Sequence, residues 1–463
     1  MLNFSFFQAT KIVNDVQLMK SYKINKSDFY YLLGVITYIV FLYIRNPEIL
    51  KFGRFFAEEG SIFWSYSLGH NFFETLLFVD IMTGYYSFNT NIQIALTKLF
   101  DIKYGPLLTT WTSLLISILP SFLYYKLNHN KIENSKRILV SFILLTLPSL
   151  NFLEIFANSI NSKTFLGVST FIILIYGLEA KNNKFFENLI LFVAFLSSYY
   201  SLIMLPAFLL KYFVEKNSNI LTSISIGAFA GFIQLNVLIF SINNRFLYED
   251  KFQNKESFIY LLEIIKRSVS INFFGERFFT YNIFELISVC MFISFVCFLI
   301  YKNYFSFKRY YLVISCFLLQ LFLLNFGQIG NNFNQRYAVV ISTIAFFSII
   351  RYFEEVKVKK WVLLVYLLIS ISFFSFQQST YFIDCSEFCY SWFQQIEDAR
   401  NNNIVSYTHW PLGEGEAYWT TNVNNPKINP SPFQKEILGD DYFKLANITM
   451  LDIVKSNFEF YFK

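Results

Sequence analysis

The chain has 463 residues, of which 55% are hydrophobic, 21% aromatic and only 15% charged, with a mean hydropathy of +0.42. A soluble chain carries about 25% charged residues, so a water-exposed globule of this size is excluded and a bilayer must be most of the solvent. The net charge of +6 falls in short clusters between apolar runs, which suits a positive-inside pattern and argues against nucleic acid as a partner.

The apolar runs are continuous rather than alternating, so helices are expected in place of a closed barrel. The expectation is an all-α polytopic membrane protein with roughly 11–13 transmembrane helices, loop helices on the external face and a small soluble C-terminal region. The 60 Phe and 31 Tyr also fit the residue usage of an AT-rich genome.

In chain order, the polar start ends in Lys20, Lys23 and Lys26. It reads as a cytoplasmic tail ahead of an uncleaved first span over Phe29–Arg45. Asn46–Gly84 mixes apolar residues with charge, as in helices lying along a membrane interface, and contains "GRFFAEEGSIFW". Further spans are expected over Tyr85–Phe100, over Gly105–Leu127 and, after the basic loop "NHNKIENSKR", up to Leu150. The loop "LPSLNFLEIFANSINSK" sets Glu154, Asn158 and Asn161 ahead of a span that ends near Glu179. Phe185–Phe213 is interrupted at "SSYYS" and at Pro206; it reads either as one tilted helix or as two half-helices. Ile220–Ile242 is a span and Asn243–Thr280 a polar loop. The remaining spans are expected over Tyr281–Tyr301, Tyr310–Phe326, Tyr337–Arg351 and Trp361–Phe376. Residues 1–376 thus form a multi-span membrane domain, and residues 377–463 a small external domain rich in Asn, Pro, Gly and acid.

The basic connectors are Lys131–Arg137, Lys181–Lys184, Lys211–Lys216, Lys302–Arg309 and Lys357–Lys360. Placing all of them in the cytoplasm makes the Glu154 loop, Asn243–Thr280, Gly327–Arg336 and the C-terminal region external. It requires Phe185–Phe213 to cross twice. It also requires an extra crossing or re-entrant pair between Gly60 and Gly84, because the first loop should be external as well.

Cys290, Cys297 and Cys316 lie in apolar runs and read as core residues. Cys385 and Cys389 are spaced C-x₃-C; that is open to a disulfide in an oxidising compartment and is not a zinc signature. The histidines, His70, His129 and His409, are scattered.

On this topology the external face collects Arg54, Glu58, Glu59, Glu154, Asn158, Arg277 and Arg336. Each has a bland reading. Arg54 and Glu58 are four apart and could simply pair, Glu154 could cap a helix, and Arg336 could snorkel at the interface. The combination also suits chemistry. A carboxylate among Phe and Trp at an interface is partly desolvated, which favours general-base work. Arginines hold phosphate by bidentate contacts, and aromatic rings stack on sugars. Neighbouring helical residues point about 100° apart, so Glu58 and Glu59 cannot share a target. Glu58 is the better partner for Arg54, which leaves Glu59 as the preferred base.

The segments "RFFAEEGSIFW", "GYYSFNTNIQIALTKLF" and "LPSLNFLEIFANSIN" resemble the GT-C superfamily of membrane glycosyltransferases over roughly the first third of the chain. The resemblance implies a GT-C-like fold in a bacterial inner membrane. It implies a polyprenyl-phosphate or polyprenyl-diphosphate sugar donor and a glycan, lipid or protein acceptor. It puts Glu58 or Glu59 in the place of the first-loop acid and Glu154 in that of the later one. Arg54, Glu154, Asn158 and Arg336 become substrate-binding residues, with Arg336 on the phosphate. No cofactor is called for, and a divalent metal ion is left open. The chain has Glu-Glu where the family often has Asp, and no subfamily is assigned. The rival reading is a transporter, flippase or polymerase for lipid-linked sugars. An ion-coupled transporter would carry ionisable residues deep within its spans, and these spans carry very few.

Overall fold

A computed structural model describes residues 25–45, 47–53, 55, 59–81, 83–128, 132–146, 157–178 and 184–243. It also describes shorter pieces at 301, 311–320, 322–323, 339–341, 343–344, 347, 360–361, 364, 367–368, 396–397, 401, 406–408, 420–422 and 448–461. The helices are α1 (Lys26–Arg45), α2 (Pro47–Phe52), a π-helical turn (Glu59–Trp64), α3 (Ser65–Gly69), α4 (Phe72–Leu77), α5 (Phe88–Thr97), α6 (Gly105–Leu127), α7 (Asn134–Thr146) and α8 (Ser159–Tyr176). They continue with α9 (Lys184–Ser197), α10 (Tyr199–Leu202), α11 (Leu205–Glu215), α12 (Ser218–Asn243), α13 (Tyr311–Gln320) and α14 (Met450–Tyr461). Among the described residues, one antiparallel strand pair, β1 (Ser406–Thr408) with β2 (Thr420–Asn422), accompanies the helices.

Among the described residues, four helices are long and apolar enough to cross a membrane: α1, α6 with its preceding turn, α8 and α12. A fifth candidate is the α9–α11 segment if it counts as one span. Of the expected spans after Ile242, Tyr310–Phe326 is described at 311–320, as α13, and at 322–323; the other three fall largely outside the described residues.

Two ends of the bundle are distinguishable. At one end, Tyr125 donates to Asp28 (2.8 Å) and Lys126 lies 3.9 Å from the same carboxylate, which joins the start of α1 to the end of α6. Lys360 pairs with Glu133 just before α7. The Lys211 amine donates to the Leu174 carbonyl (2.6 Å), and the Leu178 amide donates to Glu187 (2.7 Å), so the end of α8 meets both α9 and α11 here. This basic end gathers residues from four of the five expected cytoplasmic connectors: 132–137, 184, 211–216 and 360.

The α9–α11 segment is bent by 119°. The turn comes at Ser198, whose hydroxyl accepts from the Tyr200 amide (3.0 Å). Both arms return to the basic end, and the tip reaches far across the bundle, where the Ser197 hydroxyl accepts from the Asn89 amide (2.8 Å). Of the two sequence readings, the paired half-helices hold.

The expected span over Tyr85–Phe100 is corrected. Its helix, α5, has ten residues, which gives about 15 Å of length against a hydrocarbon core of about 30 Å. Five of its seven buried positions are polar: Asn89, Thr90, Asn91, Gln93 and Thr97. Since no described helix between α1 and α6 exceeds ten residues, that stretch stays at the end opposite the basic one. The extra crossing demanded by the sequence reading is therefore unnecessary, and the parity conflict disappears.

Gly53 explains how the first loop turns back. Its φ is +74°, and an added Cβ would lie 2.2 Å from the Leu107 nitrogen. Only glycine satisfies both the left-handed backbone and this crossing over the start of α6. The Trp111 indole then fastens α6 to α2 by donating to the Leu50 carbonyl (3.1 Å).

The C-terminal region is stitched onto the same end. Ile396 joins the apolar cluster of Phe55, Ile62 and Trp64, β2 lies against the π turn, and the Val79 amide donates to Ile448 (3.4 Å). Helix α14 packs on α12, with Asn457 donating to the Asn236 carbonyl (2.9 Å) and Ile453 inside the main core. Cys316 is fully buried in that core, as its apolar context implies. The other four cysteines lie outside the described residues.

Candidate functional site

The site is built on the N-terminus of α8. Asn158, in extended conformation, accepts from the Asn161 amide (2.8 Å) and so caps the helix; asparagine is among the preferred residues for that position. The next residue, Ser159, donates its amide to Glu59 Oε1 at 3.2 Å across 100 positions of sequence. Glu59 opens the π turn and is fully buried. The carboxylate therefore faces the amide end of an 18-residue helix, an environment that stabilises negative charge. Single π turns inside helical segments are frequent at functional sites.

Helix α5 forms the floor. The Asn89 amide nitrogen donates to the Ser159 carbonyl (3.1 Å) and to the Ser162 hydroxyl (2.7 Å). Gln93 donates to Asn89 Oδ1 (3.2 Å) and accepts from Thr112 (2.7 Å) and Ser113 (2.8 Å) of α6. The Asn89 and Gln93 side chains thus find their partners inside the protein, which is what a water-free interior demands. The Ser159 hydroxyl itself is fully buried and has no partner.

One turn along α8, the Lys163 amine bonds to the Tyr85 hydroxyl and sits 4.3 Å from that ring centroid, a cation–π contact. The Tyr199 hydroxyl from the hairpin donates to the Gly84 carbonyl (2.5 Å) and holds the Tyr85 turn. Farther out, the Lys98 amine donates to the Ser67 carbonyl; burial lowers its pKa, and nearby Glu74 partly offsets this. Burial, with Glu74 and Asp452 nearby, pushes the Tyr66 hydroxyl up to about 12, so it is a neutral donor at physiological pH.

Of the residues singled out from sequence, Glu59 and Asn158 are brought together. Arg54, Glu58, Glu154, Arg277 and Arg336 lie outside the described residues. Sequence reasoning passed over Ser159, Asn89 and Lys163. Lys163 carries a legible signal, an ionisable residue inside an apolar run. Asn89 could have been found from the polar cluster in "SFNTN", which a true span would not bury against lipid. Among the described residues no group of three or more His, Cys, Asp or Glu side chains is placed to hold a metal ion.

Comparison with protein-family models, with curated proteins and with solved structures returned no match for this chain.

Proposed function

We propose that the protein is a GT-C-type glycosyltransferase of the bacterial inner membrane. It moves a sugar from a polyprenyl-phosphate or polyprenyl-diphosphate donor to a glycan, lipid or protein acceptor at the external face. The observation that supports this reading is the pairing of Glu59 with the capped N-terminus of α8, at the end of the bundle opposite the basic connectors. A carboxylate held in place beside a helix amide end is the kind of group that an inverting transfer needs to take a proton from the acceptor hydroxyl. The charge rule puts the lysine end in the cytoplasm, which leaves the Glu59 end external. Arg54, Glu154 and Arg336 are the proposed phosphate and substrate contacts, and Asn158 orients the Glu59 locus through the helix cap.

A second reading is favoured by the Ser159 bond itself. Glu59 is fully buried, so it can also serve as a brace between the first loop and α8, with Glu58 as the base. Purified Glu58→Gln and Glu59→Gln proteins, supplied with radiolabelled polyprenyl-phosphate sugars, separate the two. Loss of the base lowers turnover by about 10²–10⁴-fold while leaving the melting temperature near wild type. Loss of the brace lowers the melting temperature first. Wild-type transfer by both variants would remove the catalytic reading.

A further inference from the structure

Arg137 was expected as a loop charge, but it lies in the first turn of α7 and is fully buried. Its side chain leans toward the helix N-terminus, as helical side chains do, and its guanidinium carbon sits 4.2 Å from the Tyr125 ring centroid. Nη2 donates to the Tyr125 hydroxyl (3.2 Å) and to the Ser27 hydroxyl (3.3 Å). Nε and Nη1 have no partner. The carboxylate of this cluster, Asp28, is reached only through the Tyr125 hydroxyl and is shared with Lys126.

Two cations therefore share one carboxylate, and one of the cations is buried with donors to spare. A buried guanidinium is costly unless an anion compensates it. Arginine geometry suits phosphate, and the amide end of a 13-residue helix lies beside it, which also favours an anion. We propose that Arg137 is the centre of a phosphoryl-anion site at the basic end, filled by the phosphodiester of an anionic lipid headgroup. Basic sites between helices at the cytoplasmic surface are suited to such headgroups. Access runs along α1. That span is 22% buried within the protein, against 89% for α8, so lipid flanks it. Its first turn reaches Arg137 only by the long Ser27 bond. Parting that turn from α7 opens the guanidinium edge to the headgroup layer.

The test uses the full chain in nanodiscs of phosphatidylcholine with a rising share of phosphatidylglycerol, read by melting temperature. In parallel, inorganic phosphate is titrated into pure phosphatidylcholine discs at constant ionic strength. The wild type should melt higher as phosphatidylglycerol rises and ignore inorganic phosphate. Arg137→Gln should weaken the apparent affinity for phosphatidylglycerol by about tenfold or more, while Lys136→Gln should keep it. A wild type indifferent to phosphatidylglycerol overturns the site, as does an equal response in Arg137→Gln. If inorganic phosphate alone reproduces the rise, the lipid assignment is overturned in favour of a free anion. The wild-type titrations stand even if Arg137→Gln fails to fold.

Discussion

At the basic end of the bundle, acidic and basic side chains carry the contacts: Asp28 with Lys126, Lys211 with Glu215 (3.9 Å) and with the Leu174 carbonyl, Glu187 with the Leu178 amide, and Arg137 with two hydroxyls. At the opposite end, the described contacts are mainly among neutral amides and hydroxyls, joined by Lys163 on the Tyr85 hydroxyl and Lys98 on the Ser67 carbonyl, and the buried carboxylate of Glu59 faces a helix amide. The first arrangement suits a surface at which lysines stay on the cytoplasmic side. The second suits an interior whose polar groups must pair with one another rather than with water. The difference teaches that the two ends are stabilised by different physics and should fail differently when perturbed.

The largest effect is expected where the first loop crosses α6. Gly53→Val adds a side chain at φ +74° and within 2.2 Å of backbone. It should cost about 3 kcal/mol or more and leave little monodisperse protein on size exclusion. Normal yield and melting would mean that the close crossing does not exist. At the basic end, Lys211→Met strips the Leu174 carbonyl of its donor and should cost about 2 kcal/mol, read as a lower melting temperature with the fold intact. On the other side, Asn89→Ala removes two neutral hydrogen bonds from α5 to α8, besides the one it accepts from Gln93 within α5. Such bonds between helices in membranes are worth about 0.6 kcal/mol each on average, so a loss of about 1 kcal/mol is expected. If Asn89→Ala proves costlier than Lys211→Met, the contrast between the ends is reversed.

The smallest effect is a pH dependence at α14. Thr449 donates its hydroxyl (2.6 Å) and its amide (3.0 Å) to Asp452, which holds that carboxyl below its ordinary range. A folded-state pKa below the unfolded one contributes stability above the ordinary carboxyl value, and that contribution is lost as pH falls through the depressed value. Hydrogen exchange of the α14 amides should therefore quicken on acidification, after correction for intrinsic rates. Asp452→Asn should exchange faster at neutral pH and change less with acid; an unchanged pH response in that variant would dismiss the cap.

Much of the candidate site was half legible. The sequence reading offered Glu154 as a helix cap, whereas the structure gives the cap of α8 to Asn158; paired glutamates after a first span announce a special loop. The partnership of Glu59 with Ser159 was not legible, because 100 residues separate them and nothing local encodes the approach. Gly53 sits in the quoted motif, yet its need for a left-handed backbone only emerges once Leu107 is beneath it.

Composition and apolar run length by themselves determined that this is a helical membrane protein, where α1, α6, α8 and α12 run, and which connectors gather at one end. Those properties follow from local free energies of transfer and from backbone groups that must pair within each helix. Only the tertiary structure decided that Tyr85–Phe100 stays at one end of the bundle as a short, largely buried helix, that α8 is enclosed while α1 lies mostly exposed on the outside, and that Arg137 is buried. The physical reason is that an apolar run reports removal from water but not what replaces it. Lipid and protein interior are equally apolar, and the difference lies in whether polar side chains such as Asn89, Gln93 and Ser162 find partners on other helices.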